Sequence, residues 1–170
     1  DVAKLDDITS IEKYKLEPNS MQVGFIKNLR KIQEAGEGKA LLISATGTGK
    51  TYASAFAMRE LGFQKVLFLV HRNQIAKQAQ KSFRKVFSGQ VSMGLVTGKY
   101  QEYDKDFIFA TIQTLSKEEN LHRHEKNTFD AIVIDEAHHS SANSYKKVLD
   151  YFEPKLWLGM TATPDKRDDN

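Results

Sequence analysis

The chain has no cysteine, three prolines and one tryptophan in 170 residues. Without a thiol it cannot build a disulfide scaffold, an iron–sulfur cluster or a cysteine nucleophile. A chain of this length buries enough surface to hold a core without such staples. Its 10 glycines, 40% hydrophobic and 28% charged residues exclude a collagenous or disordered chain. No apolar run approaches the ~18 residues of a membrane span, and no signal peptide opens the chain. No membrane partner is expected, and the expected setting is the cytoplasm. At roughly 100–200 residues per domain, residues 1–170 are expected to form a single domain. Residue 1 is Asp rather than Met, so a piece of a longer protein is expected.

Acidic residues are missing from one long stretch. Between Leu61 and Gln101 there is no Asp or Glu, while Lys65, Arg72, Lys77, Lys81, Arg84, Lys85 and Lys99 all fall there. This block carries +7 within a chain of net charge +3, which leaves −4 on the remainder. A block of one sign inside a near-neutral domain suits a surface that meets an anion, of which nucleic acid is the common one. A solvated lysine-rich face is the other reading.

Short apolar runs recur along the chain at Ala40–Ile43, Val66–Val70, Phe107–Ala110, Ala131–Ile134 and Leu156–Met160, with a weaker one over Gln90–Val96. Such runs read as strands buried on both faces, as in a parallel sheet. The segments between them are helical. Asn19 is a good N-cap, followed by Met21, Phe25, Leu29 and Ile32 at helical spacing up to Gly36. Tyr52–Leu61 is alanine-rich and ends at Gly62. Asn73–Phe87 places Ile75, Ala79, Phe83 and Val86 on one side of a helix and Lys77, Lys81 and Arg84 on the other. Ala142–Phe152 is a further short helix. The alternation predicts an α/β fold, a three-layer, doubly wound, mainly parallel sheet. Ligands of such sheets bind at the carboxyl ends of the strands.

The loop after the first run reads Ser44-Ala45-Thr46-Gly47-Thr48-Gly49-Lys50-Thr51. A glycine-rich loop between strand and helix is the setting of a phosphate-binding P-loop. Gly47 and Gly49 let the backbone turn its N–H groups inward, and the helix N-terminus adds partial positive charge. Thr46, Gly47, Thr48 and Gly49 would surround phosphate. Lys50 would reach the β- and γ-phosphates, and the Thr51 hydroxyl would ligate Mg²⁺. Ser44 stands where the strict pattern has Gly. After the run Ala131–Ile134 comes Asp135-Glu136-Ala137-His138-His139. Two adjacent carboxylates at a buried strand end need a cation, and nucleotide-bound Mg²⁺ supplies one. Asp135 would hold that metal and Glu136 would act as general base toward an attacking water.

In order, Ala45–Thr51, Val70-His71-Arg72, Thr111-Ile112-Gln113-Thr114-Leu115, Asp135-Glu136-Ala137-His138 and Thr161-Ala162-Thr163 resemble motifs I, Ia, Ib, II and III of superfamily-two helicases of the DEAH type. The resemblance covers about residues 18–166. In wording it is closest to the type III restriction subunit-like helicases of bacteria. It implies a RecA-like P-loop NTPase domain, the first of two, that uses ATP and Mg²⁺ to move along nucleic acid, DNA being the expected track. It implies that Gln22 reads adenine, although Asn19 stands where many relatives have Arg. Arg72, Thr111 and Gln113 would contact the nucleic-acid backbone. His138, Thr161 and Thr163 would couple hydrolysis to movement. A second RecA-like domain is expected downstream of this chain, carrying an arginine finger. A fused or associated nuclease is a further implied partner, and the bacterial cytoplasm the implied location. Two alternatives stay open: a duplex DNA translocase serving a nuclease without separating strands, and a nucleotide-binding switch or scaffold with no motor action.

Overall fold

The structure, a computed structural model, describes residues 16–44, 47–135 and 142–162. Its elements in chain order are α1 (Ser20–Glu34), β1 (Lys39–Ser44), α2 (Gly47–Glu60), β2 (Val66–Val70), α3 (Asn73–Phe87) and β3 (Met93–Val96). Then follow β4 (Phe107–Thr111), α4 (Ile112–Leu115), α5 (Glu118–Leu121), β5 (Ala131–Asp135), α6 (Ala142–Tyr151) and β6 (Leu156–Ala162). The strands form one six-stranded sheet in the order β1-β6-β5-β2-β4-β3. Every pairing between these strands is parallel, so all six carboxyl ends lie on one edge.

Strands β2, β3, β4 and β5 are buried along their length because both faces are covered, whereas the edge strand β1, whose apolar run reads as buried on both faces, exposes Leu41 and Ile43. Phe68, Phe107, Phe109 and Val133 face the layer of α1, α2 and α3. Their neighbours Leu67, Leu69, Ile108 and Ile132 face the opposite cluster, which includes Ile112, Leu121 and Val148 from α4, α5 and α6. This is the expected three-layer, doubly wound arrangement. Edge-to-face aromatic contacts fix the first layer: Phe83 of α3 sits 5.4 Å from Phe68 and 5.1 Å from Phe109.

Local signals set the helix ends. Asn19 and Gln22 form a reciprocal capping box at the start of α1: the Asn19 side chain accepts from Gln22 N at 2.9 Å, and Asn19 N donates to Gln22 Oε1 at 2.8 Å. Gly36 and Gly62 take positive φ, and each closes its helix with the paired hydrogen bonds of a Schellman turn. α2 starts at Gly47, more than a turn before the alanine-rich run at Tyr52, so Gly49 and Lys50 lie in its first turn and Thr51 opens the second. β3 is shorter than the run Gln90–Val96, and its edge is covered by the returning chain through a bridge between Val96 and Gln101. The one-turn helices α4 and α5 are too short to leave a periodicity and were not expected from the sequence. Among the described residues, no helix is long and apolar enough to cross a membrane.

Candidate nucleotide site and nucleic-acid edge

Strand order sorts the carboxyl edge into two halves. β1, β6 and β5 bring the strand ends at Ser44, Ala162 and Asp135 side by side. β2, β4 and β3 bring those at Val70, Thr111 and Val96 together.

In the first half, Lys50 is only 1% exposed and Asp135 only 7%. Lys50 Nζ donates to Asp135 Oδ1 at 3.3 Å. Two residues 85 positions apart meet because α2 returns over the sheet and β5 ends beside β6. A lysine with both a strand and a helix packed around it is expensive to bury, so its ammonium must face an anion. Asp135 supplies that anion here. Thr51 is half-buried one residue further along α2, and its carbonyl accepts from the Ser54 hydroxyl at 2.7 Å. Carboxylate and hydroxyl oxygens are the donors a hard cation such as Mg²⁺ takes. Thr161 lies on β6 in register with Ile43 of β1, one residue past Met160, which pairs with Asp135. It therefore lies between the ends of β1 and β5. Thr46, Glu136, His138 and Thr163 lie outside the described residues, as do the side chains at 47 and 48.

Gln22 comes to the same site from α1. A cleft of about 230 Å³ is lined by Asn19, Met21, Gln22, Phe25, Gly49 and Ala53, with Leu42 and Ile43 below. Its lining is mostly apolar with a few amide groups, as a planar heterocycle requires. The Gln22 oxygen is engaged by Asn19 N, which fixes the amide's orientation. In the sequence Asn19 and Gln22 have separate roles; the structure makes them one unit. Met21 and Ala53 do not stand out in the sequence as lining residues, and Phe25 reads there only as core. The spacing of Met21, Gln22 and Phe25 on one helix face is the signal available.

In the second half, Arg72 is exposed at the N-cap of α3 with no side-chain cap of its own. Gln113 is exposed, and its Nε2 donates to the His71 carbonyl at 3.1 Å, tying the segment after β4 to that after β2. Thr111 is 5% exposed, and its hydroxyl donates to Thr114 Oγ1 at 2.8 Å. The structure thus brings Arg72 and Gln113 to the surface together and places Thr111 beneath them. The two tyrosines of the neighbouring loop have different surroundings. Tyr100 is exposed with Lys77 Nζ 5.4 Å from its ring, while Tyr103 is covered by the Arg123 guanidinium at 4.5 Å.

Strand order, the glycine-rich start of α2 and the acid-terminated β5 are those of a RecA-like domain. Residues 15–166 match the family "Type III restriction enzyme, res subunit". The chain belongs to that family. It is 38% identical over 141 residues to IRC3 of Saccharomyces cerevisiae, which carries the name of an ATP-dependent helicase; the match covers 73% of this chain and 20% of that protein. It is 31% identical over 159 residues to the type I restriction enzyme EcoAI endonuclease subunit of Escherichia coli, covering 86% of this chain and 19% of the relative. This chain thus spans about a fifth of the length of these relatives. In fold it is similar to the Sulfolobus solfataricus SWI2/SNF2 ATPase core solved with dsDNA, with a TM-score of 0.72 at 21% identity, covering 92% of this chain and 34% of that one. The Pyrococcus furiosus Hef helicase domain is similar with a TM-score of 0.67 at 23% identity, covering 88% and 33%.

Proposed function

We propose that this chain is the first motor domain of an ATP-dependent enzyme that moves along nucleic acid, with DNA as its track. The observation that carries this reading is the buried Lys50–Asp135 pair beside the Gln22 cleft. It sets a sequestered cation and an oxygen donor where a glycine-rich helix start offers backbone N–H groups. Gly47, Thr48, Gly49 and Lys50, with Thr46, would hold the phosphates. Thr51 and Asp135 would hold Mg²⁺, and the Gln22 amide would read the adenine edge. Bound Mg-ATP supplies the phosphoanhydride bond whose hydrolysis drives movement. Glu136 would accept the proton of the attacking water. His138, Thr161 and Thr163 would relay the state of the site along β6. Arg72 and Gln113 would meet the phosphate backbone without reading sequence, on a turn that Thr111 shapes from below.

A second RecA-like domain of the same polypeptide would close over the nucleotide and bring an arginine finger, worth ~10³–10⁵ in rate. Residues 1–170 alone would therefore bind nucleotide weakly and hydrolyse it slowly or not at all. The expected location is the bacterial cytoplasm. A second reading is a translocase that travels along duplex DNA for a restriction nuclease without separating strands. It is favoured by the similarity to a type I restriction endonuclease subunit.

The test uses the full-length polypeptide. Its ATPase is measured with and without DNA, beside strand-displacement and triplex-displacement assays. Stimulation with strand displacement supports the helicase. Triplex displacement alone supports the translocase. No response of ATPase to DNA or RNA would return the chain to a nucleotide-binding switch.

A further inference from the structure

The outer face of α3 has no part in the function proposed above. Lys77, Lys81 and Arg84 are all exposed there, at intervals of four and three residues, and so form one straight row. At about 1.5 Å per residue the row runs about 10 Å along the helix. α3 contains no acidic residue. Among the described residues, none of the three forms an ion pair with a carboxylate. Two other helices hold a pair of opposite charges. α6 pairs Lys146 with Asp150 at 2.9 Å, and α2 pairs Arg59 with Glu60 at 3.1 Å. Arg84 also complements the C-terminal dipole of α3, but Lys77 and Lys81 are too far from that end to do so. Like charges at i,i+4 cost about 0.2–0.5 kcal/mol, so folding alone disfavours this row.

At its head the row joins the loop after β3. Lys77 Nζ lies 5.4 Å from the exposed Tyr100 ring, next to Lys99. That loop and the N-cap Arg72 both lie at the carboxyl edge, so the row leads away from the edge where Arg72 and Gln113 are exposed.

We infer that the row Lys77, Lys81 and Arg84 is a second binding surface for duplex nucleic acid, holding one strand's phosphates outside the motif-lined edge. One strand of a duplex advances about 3.4 Å per phosphate along its axis, so three successive phosphates span about 7 Å, within reach of three long flexible cations set along about 10 Å. The row itself is all cations, with the Tyr100 ring beside Lys77 at its head. A lone ring gives one stacking contact, whereas a single strand is held by several along a channel. The inference rests on the reading of the chain as a nucleic-acid motor.

The experiment measures binding of a random-sequence DNA duplex of about 30 base pairs, and of the matching single strand, to the full-length polypeptide. Fluorescence anisotropy follows it between about 50 and 200 mM salt. The K77Q/K81Q/R84Q variant is expected to lower the slope of log K against log salt for the duplex by about 2.7, since each phosphate contact contributes about 0.9. Each single variant should lower it by about 0.9. The triple variant's unfolding midpoint should equal or exceed that of the wild type, because repulsion is relieved. The charge-preserving K77R/K81R variant should keep the wild-type slope. An unchanged duplex slope in the triple variant, with Arg72→Ala still weakening binding, overturns this inference and leaves the motor reading intact. A loss confined to the single strand also overturns it. Wild-type protein that binds neither probe overturns both readings.

Discussion

The Lys50 ammonium lies 3.3 Å from Asp135 Oδ1 in the interior of the domain. The contact joins the first turn of α2 to the last residue of β5, with β6 lying between β1 and β5 in the sheet. An ammonium held in that position can exchange one anion for another. In the proposed function its second anion is a nucleotide phosphate. In that reading the pair would keep the site charge-balanced between turnovers and would be broken or shared on binding.

Lys50→Met is accordingly expected to remove nucleotide binding and also to destabilise the fold. Deleting one partner of a buried pair leaves an uncompensated charge, at about 3–5 kcal/mol. Removing both, as Lys50→Met with Asp135→Asn, should recover most of that loss while activity stays absent. Urea unfolding of the two singles and the double closes the cycle. Equal and additive losses would mean that the pair is not coupled.

The Asn19–Gln22 capping box allows stability and nucleotide recognition to be separated. Asn19→Ala removes the cap and should lower stability by about 1 kcal/mol. Gln22→Glu keeps an oxygen to accept from Asn19 N but loses the amide donor. Stability is expected to hold, while discrimination between ATP and other nucleoside triphosphates falls. The comparison is of KM values for ATP and GTP in the full-length polypeptide beside thermal unfolding of the same variants. Unchanged nucleotide preference in Gln22→Glu would leave Gln22 a capping residue only.

His124 makes stability depend on pH. It is buried against Tyr103, Phe129 and Phe152, with Nδ1 3.2 Å from the Asn120 carbonyl and Nε2 lacking a partner. Burial, aided by the nearby Lys65 and Arg123, lowers its pKa below the ordinary 6.5. As pH falls below 6.5, the unfolded chain takes up this proton before the folded one does. Stability from this group is therefore full above the ordinary value and declines on acidification toward the folded value. Unfolding midpoints between pH 8 and 5 should fall more steeply for the wild type than for His124→Phe. Parallel curves would mean that His124 takes up its proton alike in the folded and unfolded chain.

What the sequence reveals follows from how local each signal is. α3 is legible to the residue because its apolar face has a helical period and the chain turns left-handed at Ser88 and Gly89. β2, β4 and β5 are legible because burial on both faces leaves unbroken apolar runs, and β1 gives the same kind of run although Leu41 and Ile43 are exposed. The start of α2 is not, since Gly47, Thr48 and Gly49 read as breakers although they open the helix. Lys50 and Asp135 are legible as site residues, but their contact depends on β6 inserting between β1 and β5. The burial of Thr111 is equally silent: a threonine at a strand end reads the same whether it points in or out. The Gln22 cleft depends on how α1 packs over α2, which no local pattern records.

Two glycines should respond in opposite ways to the same substitution. A Cβ built on Gly94 of β3 would lie 2.7 Å from the Glu102 carbonyl oxygen and 2.6 Å from Lys105 Cγ. The lysine methylene can shift, but the carbonyl is held, because Glu102 N donates to Leu95 O and its carboxylate accepts from Leu95 N. Gly94→Ala must therefore push the covering segment off the β3 edge, at about 1–3 kcal/mol. Gly24 lies inside α1 with nothing within 4 Å of where a methyl group would stand, and its φ is not positive. Gly24→Ala should raise stability by about 0.5–1 kcal/mol through helix propensity alone. Urea unfolding of both variants checks the signs. A neutral Gly94→Ala would mean that the 97–106 return is not fastened to the sheet edge.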